Sequence, residues 1–178
     1  MSRIPLLPQD TAEPRSVVDS LRARREGRLL NEADLTVLHA PHFARGWNEL
    51  ACSVRQELGL PARLRELAII SVGVLNQSAF EVAKHAPGFL KGGGTQAQLD
   101  ALWQFDAALQ NSALFDATDR AAMQLAKEMT LNVKVSDRTF REIERLLPSH
   151  ERLVELVGTI AMYNMVTRFL VALEVEEG

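Results

Sequence analysis

Cysteine is almost absent from this chain: Cys52 is the only one in 178 residues. No intramolecular disulfide can form, no Cys-x-x-Cys redox pair exists, and a metal site built on several thiolates is excluded. Long apolar runs are missing as well, since no stretch approaches the roughly 18 uninterrupted apolar residues of a membrane span. The opening residues Met1 to Asp10 hold Pro5 and Pro8 and no apolar signal-peptide region. A soluble, cytoplasmic protein without a membrane partner is therefore the expectation. Positive charge is not concentrated either. The net charge is −3, with Lys and Arg scattered, which argues against a nucleic-acid partner, whose affinity would rest on clustered cations. The one basic run, Arg22, Arg24, Arg25 and Arg28, reads as a solvated helix face. Strand signals are scarce too, and Val133-Lys134-Val135 is too short to count as one.

What is present is apolar periodicity at helical spacing and a series of helix caps. Apolar residues make up 47% of the chain, enough for the core of one domain. Residues 1–13 read as an extended, proline-punctuated arm, and 14–178 as a single helical domain with its core motif at 62–90. Pro14 can open a first helix carrying Val17, Val18 and Leu21 on one face. Asn31 opens a short helix that stops before Pro41. From His42 to Leu58, Phe43, Trp47, Leu50, Ala51 and Val54 recur at helical intervals, and Gly59 and Pro61 end that element and begin the next. Thr95, Asp116 and Ser136 each open a further helix, and a long apolar helix runs from about 149 to 175. The fold expected is all-α, a bundle of seven to eight helices.

Chemistry concentrates between Arg65 and His85. Glu81 and His85 are four apart, so on a helix they share a face, close enough for a carboxylate to orient and charge an imidazole. An acid–imidazole pair beside an apolar wall can move a proton. Ser78-x-x-Glu81 also has the form of a capping box. Glu81 is thus an active-site acid, a helix cap, or both. In one unbroken helix Glu66 and His85 would lie roughly 28 Å apart. A chain reversal near Asn76-Gln77 would instead bring them to similar heights on antiparallel helices. Glu66 otherwise joins a surface ion-pair cluster with Arg63 and Arg65, and His85 can equally be a structural histidine.

Other features read more plainly. Gly92-Gly93-Gly94 lacks the strand and the Gly-Lys-Ser/Thr of a phosphate loop, so it reads as a helix stop. His39 and His42 are three apart, but Pro41 between them and the lack of a third ligand disfavour a metal site. Trp47, Trp103 and Phe105 read as core or interface aromatics, and His150 as a capping or solvated residue. Arg168, four residues after Asn164, either pairs with an acid and braces the core or anchors a substrate carboxylate.

Arg65-Glu66-Leu67, the apolar run to Leu75, Asn76, then Phe80-Glu81 and His85 resemble the core of the carboxymuconolactone decarboxylase family, which has the alkylhydroperoxidase-D-like fold. His39-Ala40-Pro41 through Trp47, and Tyr163 with Arg168, extend the likeness across most of the chain. The peroxidase branch carries two cysteines where this chain has Ser78 and Glu81, so thiol-based peroxide reduction is chemically closed here. The branch without cysteines implies a cofactor-independent lyase of aromatic catabolism, acting on a small carboxylated lactone or unsaturated acid, with no metal. The resemblance implies catalytic roles for His85, Glu81 and Glu66. It also implies substrate contacts from Ser78, Trp47 and Tyr163, and a grip on the substrate's carboxylate or carbonyl by Arg168 or His42. It further implies a homo-oligomer, trimeric or hexameric. A related isomerase or hydrolase, or a non-catalytic binding or assembly protein on the same fold, stands beside the lyase reading.

Overall fold

The computed structural model describes residues 2–175. Among these, the chain forms ten α-helices and one π-helical turn, with no strand. They fall into two compact units, residues 2–58 with 172–175, and residues 59–171.

The first unit holds α1 (Arg15–Arg24), α2 (Glu32–Val37) and α3 (Pro41–Cys52), the last running into a π-helical turn, Ser53–Glu57. Asn31 caps α2 in a reciprocal box with Asp34, which satisfies two of the orphan N–H groups at a helix start. The arm before α1 is tied down by Arg3 N–H to the Leu173 carbonyl and by Gln9 to the Leu30 carbonyl. Within the basic run Arg28 is solvated, but Arg24 and Arg25 are not. Arg24 and Arg25 each reach Asp34 at 2.6 Å, Arg24 also reaches Asn48, and the Arg24 and Asp34 side chains are only 4% and 1% exposed. A buried carboxylate must be paired, so these guanidiniums turn inward. Along α3 the apolar spacing is only partly buried: Trp47 and Ala51 are covered, whereas Phe43 and Leu50 are exposed.

The second unit holds α4 (Ala62–Leu75), α5 (Ala79–Lys91), α6 (Gln96–Leu102), α7 (Phe105–Gln110), α8 (Ala117–Leu131), α9 (Asp137–Leu146) and nearly all of α10 (His150–Ala172). Thr95, Asp116 and Ser136 cap α6, α8 and α9 through their side chains. The segment after Thr95 divides at Trp103-Gln104, which is one reason the helices number ten. Trp103 is exposed in that turn, while Phe105 joins Leu102, Phe89, Leu67, Ile70 and Phe115 in the core. α4 packs most extensively on α5 and next on α8. Arg63 of α4 is bidentate to Asp119 of α8, a planar fork matched to a carboxylate.

By length and composition α10 is apolar enough to cross a membrane, yet half of its most apolar window is buried within the protein. Its buried Asn164 and Thr167 meet other helices of the unit. Asn76, at the end of α4, donates to both Asn164 and Thr167, and Asn164 donates to Thr130 of α8.

Candidate functional site

The site is made by the reversal between α4 and α5. Gln77 adopts a left-handed φ of +58°, and the Ser78 N–H returns to the Gly73 carbonyl at 2.8 Å. That 6→1 bond closes a Schellman-type helix end. It also consumes the backbone N–H that Glu81 would accept in a capping box. Ser78 makes no side-chain cap bond, so the capping box expected from Ser78-x-x-Glu81 does not form and the Glu81 side chain is released towards His85. Ser78 itself is buried at the start of α5.

The reversal brings Glu66 of α4 to the level of His85 on α5. His85 Nδ1–H donates to Glu66 Oε2 at 2.6 Å, and Glu81 Oε2 lies 3.3 Å from Nε2 on the other side of the ring. All three are buried, at 6%, 3% and 4% exposure for Glu66, His85 and Glu81. Glu66 is therefore no surface ion-pair residue, although Arg65 does contact its second oxygen, Oε1, at 3.2 Å. Glu81 differs from it: Oε2 has no aligned hydrogen-bond donor despite being buried. The Tyr163 ring of α10 stands edge-on to the imidazole, centroids 4.9 Å apart, which restrains rotation of the ring.

Burial acts to lower the pKa of His85, but the hydrogen bond to Glu66 and the nearby Glu81 carboxylate outweigh it and hold the imidazole above its ordinary 6.5. Burial acts to raise Glu66, yet the hydrogen bond with His85, then the charges of His85 and Arg65, keep it below the ordinary 4.5. The resulting arrangement is a water-shielded imidazole whose charged form is favoured, oriented by one fully engaged carboxylate and flanked by a second.

Two glycines shape the packing here. Gly88 of α5 faces the Glu66 carboxyl, and Gly73 of α4 faces Val82 and Glu81. Each stands seven residues after an acid, Glu66 before Gly73 and Glu81 before Gly88. That repeated spacing is the signal in the sequence that could have marked them.

The remaining residues named from the sequence lie elsewhere. Arg168 braces α10 to α8, donating to the Asn164 side chain and to the Thr130 carbonyl. It thus finds carbonyl oxygens where an acidic partner was expected. His42, exposed, and Trp47, buried against the Phe43 ring, belong to α3 in the other unit. His39 meets the Pro5 carbonyl. Among the described residues, no group of three or more His, Cys, Asp or Glu is arranged to hold a metal. A cleft of about 440 Å³ between α7, α8 and α9, lined by Arg120, Gln124, Glu128 and Arg138, does not include the acid–imidazole cluster.

The model of the carboxymuconolactone decarboxylase family matches residues 41–128, a span that contains Glu66, Glu81 and His85. No curated protein matches the chain in sequence. Solved structures match its fold closely. An uncharacterized peroxidase-related protein from Silicibacter sp. TM1040 is similar at a TM-score of 0.81 and 13% identity, over 99% of this chain and 92% of that one. A second such protein, an alkylhydroperoxidase AhpD core from Ralstonia eutropha JMP134, gives 0.81 and 16%, over 99% and 92%. The debrominase Bmp8, in complex with 2,3,4-tribromopyrrole, gives 0.78 and 17%, over 100% and 94%. At these identities the likeness establishes the alkylhydroperoxidase-D-like fold alone.

Proposed function

We propose that this chain, whose residues 41–128 match the carboxymuconolactone decarboxylase family, is an acid–base enzyme of the lyase type, acting on a small carboxylated lactone or unsaturated acid. The observation that carries this reading is the buried Glu66–His85–Glu81 cluster, with the Nδ1–Oε2 bond at 2.6 Å. Decarboxylation of such a compound breaks a carbon–carboxylate bond and leaves the electron pair in a conjugated carbonyl. The dienolate then needs a hydrogen-bond donor at oxygen and one proton at carbon. With Nδ1–H held by Glu66, a charged His85 has its Nε2–H to offer: it donates to the dienolate oxygen as CO2 leaves and then passes that one proton to carbon, and in a water-shielded setting this donation counts for more than it would in bulk water.

Each neighbour has a part in this scheme. Glu66 fixes the ring and its charge, as the carboxylate partner of an imidazole does elsewhere. Decarboxylation takes up one proton overall, so Glu81, whose Oε2 lies 3.3 Å from Nε2, is placed to return a solvent-derived proton to His85 after the ring has given up its own. Tyr163 holds the ring edge-on. The chemistry requires no thiol. Cys52 is the sole cysteine and lies in the π-turn region of the other unit, so the thiol cycle of a peroxidase has no resolving partner here.

Turnover of γ-carboxymuconolactone by the purified protein, followed by ultraviolet absorbance and CO2 release, tests the proposal. The expected result is activity in the wild type that His85→Ala abolishes while the helical fold persists. A wild type that binds the lactone without turnover would favour a ligand-binding role instead. A His85→Ala variant that keeps full activity would remove the mechanism.

A further inference from the structure

We propose that Gly88 is a positioning residue of this site: by carrying no side chain, it leaves the space in which the Glu66 carboxylate reaches His85. Gly88 lies inside α5, where glycine costs about 1 kcal/mol relative to alanine. Its backbone is not in the left-handed region that would call for glycine. The reason lies across the helix pair. A Cβ at Gly88 would stand 3.1 Å from Glu66 Cδ and 3.3 Å from Oε2, the oxygen that accepts from His85.

Something must give by a few tenths of an ångström, and the choice is narrow. Oε1 of Glu66 is held by Arg65 and Oε2 by His85, so a carboxylate displaced from the Gly88 side must disturb one of these bonds, and Oε2 is the nearer oxygen to the added Cβ. The arrangement is reciprocal. Gly73, seven residues beyond Glu66, receives α5 where Glu81 sits, but there an added Cβ would meet a Val82 methyl at 3.2 Å and Glu81 Cβ at 3.5 Å. A valine methyl yields more readily than a doubly bonded carboxylate. Gly88 is therefore the position that sets the acid–imidazole distance, and Gly158 of α10, with open space around it, serves as the contrast.

The bearing of this on catalysis rests on the acid–base reading above, but the positional claim is read without substrate. NMR titration of the four histidine rings, with His85 assigned by its loss in His85→Gln, reports the Glu66 contact directly. Gly88→Ala should lower the His85 midpoint by about one unit, and Gly158→Ala should leave it unmoved. In a Glu66→Gln background, Gly88→Ala should add no further shift, because its route is through that carboxylate. A folded Gly88→Ala with a wild-type midpoint overturns the proposal, as does an undiminished shift in the Glu66→Gln background. Should Gly88→Ala not fold, adding Glu66→Ala must restore folding by vacating the space, and failure to restore it overturns the proposal equally. A wild type inactive on the lactone would leave these outcomes intact, so the two readings fail separately.

Discussion

The Nδ1–H of His85 donates to Glu66 Oε2 across 2.6 Å, inside a helix pair that shields both groups from water. An imidazole in such a place could have been neutral. Here a carboxylate on each side of the ring outweighs burial and favours the charged form.

That coupling makes stability depend on pH at both ends. His85, raised above 6.5 by folding, adds stability that is fully present below the unfolded value and lost as pH climbs through the folded one. Glu66, held below 4.5, adds stability present above the unfolded value and lost as pH falls through the folded one. Urea unfolding at a series of pH values should show a plateau between these limits. His85→Gln should flatten the alkaline limb; an alkaline limb as steep as the wild type's would mean that another group causes it.

Glu81→Gln should lower the titration midpoint of His85, because it removes one of the two carboxylates that favour the charged ring. Turnover should fall by about 100-fold or more if that oxygen moves the proton. Turnover restored to the wild-type level at a pH low enough to recharge His85 would show instead that Glu81 acts only through the charge of the ring.

Gln77 holds the reversal in a left-handed conformation that a side chain resists. Gln77→Gly should stabilise the protein by about 0.5 to 1 kcal/mol, read from denaturant midpoints at constant slope. A destabilised variant would show that the Gln77 side chain supports the turn.

Asp34 draws two guanidiniums inward, both at 2.6 Å. Removing it leaves buried cations unpaired, and Asp34→Ala should cost about 3 to 5 kcal/mol. The exposed Arg15–Asp19 pair, at 3.5 Å, is the contrast, and Asp19→Ala should leave the midpoint unchanged. Equal effects from the two would contradict the role of burial.

Much of the all-α layout is legible in the sequence, because a cap acts within one turn of its own helix. Asn31, Thr95, Asp116 and Ser136 mark helix starts for that reason, and the four-residue spacing of Glu81 and His85 places them together on any helix. Three features needed the tertiary structure. The Ser78 N–H goes to Gly73 rather than to a capping acid, which frees Glu81. Arg24 and Arg25 turn inward to an aspartate on another helix. Arg168 finds the Thr130 carbonyl on α8 and the Asn164 side chain in place of an acid. In each case local spacing lists the groups able to bond, while the partner is settled by which backbone or side-chain group packing brings within reach and shields from water. The sequence by itself thus determined the helices and the acid–imidazole pair within α5. Only the folded chain decided that Glu66 joins that pair, because a bond between two helices depends on where the turn between them closes.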